Sequence, residues 1–116
     1  MSVVGKVFRL PYERCEAPGS CYTYLDVLYF PDDRFVWRGT PIEEPKPTCS
    51  AITVTAESYK GCMAYTLDPE TGAITIQGDP NGDRSGVVKD QQVTLAPGWG
   101  STTEWVYTEG GWPGAN

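Results

Sequence analysis

The chain contains no histidine among its 116 residues. This absence excludes the Ser-His-Asp and Cys-His arrangements and every mechanism in which an imidazole transfers protons. The sequence also lacks a phosphate-binding glycine loop and a dinucleotide fingerprint, which excludes the common nucleotide-binding enzymes. We therefore expect no cofactor. An enzyme of this composition would be a cofactor-independent cyclase or isomerase that holds its substrate in reactive geometry.

Basic residues are few: nine Lys and Arg stand against fifteen Asp and Glu, which gives a formal net charge of −6. They are scattered singly, whereas binding to nucleic acid needs clustered Lys and Arg. No apolar run approaches the roughly 20 residues of a membrane-spanning helix. We expect neither nucleic acid nor a membrane as a partner, and an acidic surface that keeps the protein in solution.

Short runs rich in Val, Ile, Thr and aromatic residues alternate with clusters of Gly, Pro, Asn and Asp. This pattern is typical of strands joined by tight turns. No window of helical length carries a 3.6-residue apolar period free of Gly and Pro. The sequence predicts nine strands, near 3–10, 22–30, 34–39, 50–56, 62–67, 73–77, 86–89, 92–96 and 103–108.

The first clear hairpin lies in "LDVLYFPDDRFVWRG". A three-residue loop, Pro-Asp-Asp, predicts that Phe30 pairs with Arg34. One face of this hairpin then becomes apolar, formed by Leu25, Val27, Tyr29, Phe35 and Trp37. The opposite face carries an Asp26–Arg38 pair, worth about 0.2–1 kcal/mol where exposed.

Two further hairpins follow. Leu67 pairs with Ile74 across a four-residue loop, and Val88 pairs with Val93 across an Asp-Gln turn. Hairpins in series predict an all-β chain: a single small antiparallel up-and-down β-barrel of about eight or nine short strands, with a sandwich as the alternative. We expect one barrel domain over 1–109 and a flexible Gly/Pro-rich tail at 110–116, unless Trp112 folds back onto the barrel.

The first hairpin, together with "YTLDPETGAITIQGD" and "VVKDQQVTL", resembles the turns and strands of small lipocalin-like (calycin) β-barrels over 22–95. The Gly-x-Trp motif found near the start of many lipocalins is absent, and "GKVF" occupies that region. The resemblance implies a cup for small hydrophobic ligands, closed by the loop at 12–21. Some members of such families catalyse cyclisations or inhibit enzymes instead.

Aromatic residues are the most informative feature for function, because they supply apolar walls to ligand pockets. Five are candidates for ligand binding: Tyr29, Phe35, Trp37, Tyr65 and Trp105. The alternative is a purely structural role, in which they fill the core, since the interior of a small barrel is nearly occupied by its own side chains. We predict binding of a small hydrophobic molecule. The alternatives are the cyclase or isomerase, and an inhibitor or partner-binding domain that acts through the loops at 12–21 and 39–48.

The stretch "QGDPNGDRSG" at 77–86 has the alternating acids of a calcium loop. Arg84 stands where such a loop needs glycine, and no helix flanks it. The stretch therefore predicts an ordinary turn. The cysteine spacings do not match the close pairs of a zinc site. We expect no metal.

Four cysteines, Cys15, Cys21, Cys49 and Cys62, allow two disulfides in three connectivities, or four reduced thiols. Cys15 and Cys21 are close enough to bridge across a Pro-Gly turn. Formation of the bridges would indicate a secreted protein. If Met1 is the native start, the absence of a signal-peptide pattern indicates the cytoplasm.

Overall fold

The computed structural model describes residues 2–41, 45–49, 56–57, 60–77, 83–97 and 104–113, with the backbone alone at 12, 14, 16, 56, 57 and 60. Within these ranges lie nine strands: β1 (Val7–Ala17), β2 (Ser20–Tyr29), β3 (Phe35–Gly39), β4 (Ala56–Glu57), β5 (Lys60–Leu67), β6 (Ala73–Gln77), β7 (Arg84–Lys89), β8 (Gln92–Leu95) and β9 (Trp105–Gly110).

Eight of these strands form a closed antiparallel up-and-down barrel, as the sequence predicts. Each of them pairs with the next along the chain, β3 pairs directly with β5, and β9 returns to β1. The two-residue β4 adds to β5 beside this ring. Closure leaves no exposed sheet edge around the ring. In the described part of the chain, no helix is long and apolar enough to cross a membrane.

The interior of the barrel is filled by side chains from all eight strands. The principal members are Phe8, Leu28, Phe30, Val36, Met63, Tyr65, Ile74, Ile76, Val88, Val93, Leu95 and Tyr107. They occupy alternate positions along their strands, which is the period that points side chains to one face of a sheet. We call this set the interior cluster. Burial of such a side chain contributes about 1.5–3 kcal/mol.

One end of the barrel is closed by tight turns. The carboxylate of Asp32 accepts hydrogen bonds from the backbone N–H groups of Arg34 and Phe35, at 2.8 and 2.9 Å. At the β7–β8 turn, Asp90 and Gln91 both have positive φ (52° and 64°), which is the type I′ geometry that suits a two-residue hairpin. The N-terminal segment folds across this end, which we call the closed end, because the Gly5 N–H donates to the Phe30 carbonyl at 2.7 Å.

Two of the three predicted hairpin registers are confirmed and one is wrong. Leu67 lies opposite Ile74, and Val88 lies opposite Val93. In the β2–β3 hairpin, Tyr29 lies opposite Trp37 rather than Phe35. The loop is longer than predicted, because Asp32 organises the chain through to Phe35. The observed register differs from the predicted one by two residues, and an even shift leaves the same residues together on each face of the hairpin.

The apolar face of the β2–β3 hairpin points out of the barrel, not into it. There it joins a second cluster of Val7, Val27, Trp37 and Cys62, against which Leu25, Tyr29, Cys49 and Trp112 pack. We call this set the outer cluster. It is covered from outside by the segment at 45–49 and by Trp112, whose ring lies 5.4 Å from Trp37. The opposite face, with Asp26 and Arg38, therefore points into the barrel.

The predicted loop at 12–21 is wrong, because these residues form a hairpin. β1 pairs with β9 only over 7–9, and β2 pairs with β3 only over 27–29. Between these limits the two strands pair with each other alone, around a turn at Pro18 and Gly19, where Gly19 has φ of 82°. Residues 10–25 thus form a two-stranded ribbon, the arm, that extends from the barrel end opposite the closed end. We call that end the arm end.

Two disulfides are present, which selects one of the three connectivities. Cys15 pairs with Cys21 at the tip of the arm, and we call this bridge the arm disulfide. Cys49 pairs with Cys62 and ties the segment at 45–49 to β5. Two bridges are compatible with an oxidising or secreted environment.

Two sequence predictions fall largely outside the described residues. The strand expected at 50–56 is described only at Ala56, which begins β4. Of the stretch expected to be a turn at 77–86, residues 78–82 lie outside the described part, and β7 begins at Arg84.

Candidate functional site at the arm end

The five aromatic residues proposed as ligand-binding lie in three different places. Tyr65 belongs to the interior cluster, where its ring centroid is 4.9 Å from that of Phe30. Tyr29 and Trp37 belong to the outer cluster. Phe35 is buried on the same strand as Trp37, with the Arg34 guanidinium 5.2 Å from its ring centroid. These four side chains do not line a common pocket.

Trp105, the fifth candidate, lies among polar groups inside the arm end. Three charged side chains are buried in the described part of the chain: Asp26, Arg38 and Arg84, with exposures of 5, 6 and 5 %. All three meet Trp105 or Tyr107, and the five residues form what we call the polar cluster. They come from β2, β3, β7 and β9, so closure of the barrel is what assembles them.

Asp26 is the centre of this cluster. Its Oδ2 accepts hydrogen bonds from Arg38 Nη2 at 3.1 Å and Nε at 3.3 Å, and from the Tyr107 hydroxyl at 2.7 Å. In register, Arg38 lies opposite Leu28, so it reaches Asp26 along the diagonal of the sheet. Because both charges are removed from water, their attraction is offset by a desolvation cost of several kcal/mol per ion.

Both buried guanidinium groups lie over the indole ring of Trp105. The Cζ atoms of Arg38 and Arg84 are 4.7 and 4.8 Å from the ring centroid. Contact between a guanidinium and the electron-rich face of an indole is favourable by about 0.5–2 kcal/mol, with the higher values where water is excluded. Arg84 also donates from Nη2 to the carbonyl of Ala96 at 3.1 Å. Trp105 therefore contacts both buried guanidinium groups.

The tyrosine hydroxyls inside the barrel are donors at neutral pH. Burial raises the pKa of Tyr107, and the negative charge of Asp26 raises it further. Burial also raises the pKa of Tyr65 to about 12, with smaller contributions from Asp32 and Asp33, and its hydroxyl donates to the Asp32 carbonyl at 2.8 Å. Neither group is therefore suited to act as a general base.

The arm extends the lining of the barrel beyond the polar cluster. Tyr22, Tyr24 and Asp26 are spaced two apart on β2, so their side chains point to the same face. The rings of Tyr22 and Tyr24 lie 6.4 Å apart. Leu10, which pairs with Asp26 across the arm, packs on the interior cluster. We call Leu10, Tyr22 and Tyr24 the inner face of the arm.

Two other places in the described chain are weaker candidates. A cavity of about 150 Å³ at the closed end is smaller than the roughly 300–1,000 Å³ of usual ligand pockets. Its lining residues are Ser2, Val3, Val4, Asp33, Tyr65, Leu67 and Pro69. Glu13, Cys15 and Cys21 come together on the arm, but both cysteines are in the arm disulfide and so offer no thiolate to a metal.

No family model, no curated protein and no solved structure matches this chain. The site is therefore assigned from its own geometry.

The sequence names Trp105 as a ligand-binding candidate, and this remains a prediction; the charged residues around it were not among the candidates. Asp26 and Arg38 were recognised as a pair but assigned to the face away from the core. Arg84 was noted only as unsuited to a calcium loop. Alternation along β7 could have placed Arg84 in the interior. Val88 faces the interior, and residues an even number of positions apart on a strand share a face, so Gly86 and Arg84 face the interior too.

Proposed function

We propose that the protein binds a small hydrophobic molecule at the arm end of the barrel. The indole of Trp105 and its two arginines form the floor of the site, and the inner face of the arm forms one wall. Ligand sites in barrels occur preferentially at the mouth, and combine apolar and aromatic walls with a few fixed polar groups. The polar cluster and the arm together supply this composition.

The observation that carries the proposal is the burial of Asp26, Arg38 and Arg84 among aromatic side chains. A buried ion pair is a weak source of stability, since well-packed apolar residues of similar volume usually serve as well or better. Buried ionisable groups in such surroundings are enriched at functional sites. Placement of these groups at one end of an otherwise apolar interior supports a role in recognition.

The resemblance to lipocalin-like barrels supports the same class of function. The closed eight-stranded barrel is compatible with a calycin-like barrel, and such barrels commonly bind small hydrophobic molecules. This support is an analogy of fold, which by itself does not select a function.

The test is a fluorescence titration with N-phenyl-1-naphthylamine, a neutral apolar probe whose emission rises on transfer from water. We expect saturable binding of one probe per chain. Trp105→Leu should weaken it at least tenfold, because the substitution removes the aromatic floor. Trp112→Leu is the matched control, since Trp112 packs in the outer cluster and its loss should leave binding unchanged.

Two results would count against the proposal. Absence of saturable binding to the wild-type protein would remove the site altogether. Loss of binding in Trp112→Leu but not in Trp105→Leu would move the site to the outer cluster. Near-UV circular dichroism and thermal melting of each variant establish that a loss of binding is not a loss of the fold.

A further inference from the structure

We propose that a second copy of this chain pairs with the outer edge of β2 in the arm, so that two arms form one four-stranded antiparallel sheet. The two copies would be related by a two-fold axis at Thr23, as is usual for homodimers. The proposal goes beyond the proposed function, because it depends on backbone groups of the arm and not on the polar cluster.

The position of the arm disulfide establishes which backbone groups of the arm point outward. The Cα atoms of Cys15 and Cys21 lie 4.1 Å apart, and the two residues are directly opposite each other. In an antiparallel ladder, opposed residues about 4.5 Å apart are non-hydrogen-bonded pairs, whereas hydrogen-bonded pairs lie about 5.5 Å apart. The N–H and C=O groups of Cys21 therefore point away from β1. Those of Thr23 and Leu25 do the same, because the pattern repeats every second residue.

The outer edge of β1 is protected against pairing. By the same alternation, its outward groups belong to Cys15, Glu13 and Pro11. Pro11 has no N–H to donate and lies just beyond Arg9, the last residue that pairs with β9. Glu13 adds an exposed charge. Proline and charged side chains are features by which proteins prevent a sheet edge from pairing with another chain.

The outer edge of β2 has neither form of protection. Residues 20–25 read Ser-Cys-Tyr-Thr-Tyr-Leu, with no charge and no proline. In the part of the chain that the structure describes, the strand partner of these residues is β1 alone, and β3 joins the edge only from Val27 onward. Cys21 and Thr23 are exposed. An uncharged edge with outward donors and acceptors is suited to accept one more strand.

The sequence of this edge favours a second copy as the added strand. Tyr22-Thr23-Tyr24 reads the same in both directions. Antiparallel pairing about Thr23 therefore places Thr23 opposite Thr23 of the second copy, and Tyr22 opposite Tyr24 of the second copy. Thr–Thr and aromatic–aromatic pairs are both favourable across strands. Because the outward groups lie on Thr23 and on the residues two positions away, up to about six backbone hydrogen bonds would form.

The charge of the molecule also favours contact at this edge. Each copy carries a formal net charge of −6, so two copies repel each other. Pairing through residues 20–25 brings no charged side chain of β2 to the contact, since Asp26 is buried inside the barrel. Antiparallel pairing also directs the two barrels to opposite ends of the shared sheet, where salt screens the repulsion between them.

Sedimentation of the full chain from micromolar to millimolar concentration, with the disulfides intact, tests the proposal. We expect a reversible monomer–dimer equilibrium, because a short shared edge makes a small interface. Thr23→Pro removes an outward N–H from each copy and should raise the dissociation constant at least tenfold. Glu13→Pro is the matched control, since it removes the outward N–H directly opposite, on the protected edge. It should leave the dissociation constant unchanged.

Amide hydrogen exchange measured by NMR locates the contact without any variant. The N–H groups of Cys21 and Thr23 should exchange more slowly in concentrated than in dilute protein, because pairing withdraws them from water. The N–H of Glu13 should exchange at the same rate in both. Denaturing mass spectrometry without reductant should give the mass of one chain, which establishes that the dimer is not joined by exchange of the arm disulfide.

The results that would overturn the proposal are distinct. A chain that stays monomeric at millimolar concentration leaves this edge to a strand of another protein and rejects the second copy. A dimer that persists in Thr23→Pro, or that responds equally to both prolines, places the contact elsewhere. Slowed exchange at Glu13 instead of Thr23 assigns the edge of β1. If near-UV circular dichroism shows that Thr23→Pro opens the arm, Thr23→Glu replaces it, because two carboxylates opposed across the axis should also weaken the dimer.

Discussion

Replacement of Asp26 by asparagine provides the sharpest test of the buried polar cluster. The substitution nearly preserves the size of the side chain and retains an acceptor for the Tyr107 hydroxyl. It removes the negative charge that two nitrogens of Arg38 contact at 3.1 and 3.3 Å. Arg38 is 6 % exposed, so its positive charge cannot be compensated by water without local opening of the barrel.

The expected cost is large. Removal of one partner from a buried ion pair destabilises proteins by about 3–5 kcal/mol. The whole stability of a domain of this size is on the order of 5–15 kcal/mol. At about 4 °C for each kcal/mol, the melting temperature should fall by roughly 10–20 °C. Asp26→Leu combined with Arg38→Met removes both charges and should cost less than Asp26→Asn alone.

The assay is urea unfolding at pH 7 with the disulfides intact, followed by tryptophan fluorescence. The matched control is Glu109→Gln, which removes the anion of an ion pair with Lys6 at 3.3 Å that is 46 and 33 % exposed. It should cost about 0–1 kcal/mol, as surface pairs do. If Asp26→Asn costs no more than Glu109→Gln, the pair is solvated in solution and the reasoning about the polar cluster is refuted.

Three further outcomes are expected. Because the pKa of Tyr65 is raised to about 12, the stability due to this group is present below pH 10 and lost as the pH rises to about 12. Tyr65→Phe should therefore reduce the fall in the free energy of unfolding between these two pH values. Gly86→Ala should destabilise by about 1–3 kcal/mol, since its Cβ would meet a backbone carbonyl of β8, whereas Gly111→Ala, with open space around it, should be neutral in the same urea assay. Under a mild thiol reductant, alkylation and mass spectrometry should show the exposed arm disulfide opening first, with little change in the melting temperature of the barrel.

Local turn chemistry made much of the barrel predictable. The Asp68 carboxylate accepts the backbone N–H of Glu70 at 2.9 Å, which fixes the β5–β6 loop from within its own sequence. The same backbone bonds hold the pKa of Asp68 below its usual range. The β7–β8 register followed from a two-residue turn in the same way. Such hairpins are specified by residues a few positions apart, so a single sequence contains the information.

Which face of a hairpin points inward was not predictable in this manner. Alternation correctly grouped Val27, Tyr29 and Trp37 on one apolar face, and that face lies outside the barrel. It is covered by Trp112, far away in sequence, and by a segment tied down through the Cys49–Cys62 bridge. A local pattern establishes which residues share a face, but only the packing of distant segments decides which face is interior.

The outer part of the arm, at 12–21, was predicted as a loop and not as a hairpin for a related reason. Most of the arm side chains that the structure describes are exposed, because each strand of the ribbon pairs only with the other. The pattern that identifies a strand against a core is therefore absent there. The hairpin instead depends on a Pro-Gly turn and on Cys15 lying directly opposite Cys21, two signals that the sequence contains but that also suit a stapled loop.

The position of Asp26 connects the arm with the polar cluster. β2 loses its pairing with β3 just beyond Val27, so Asp26 is the first inward-facing residue after the strand leaves the barrel ring. The interior there ends in the Asp26–Arg38 ion pair and in Trp105, over whose ring Arg38 and Arg84 lie. Below this level the described interior is occupied by its own side chains, and above it the arm continues the same lining into solvent. A molecule that entered the barrel from the arm end would therefore meet the polar cluster first.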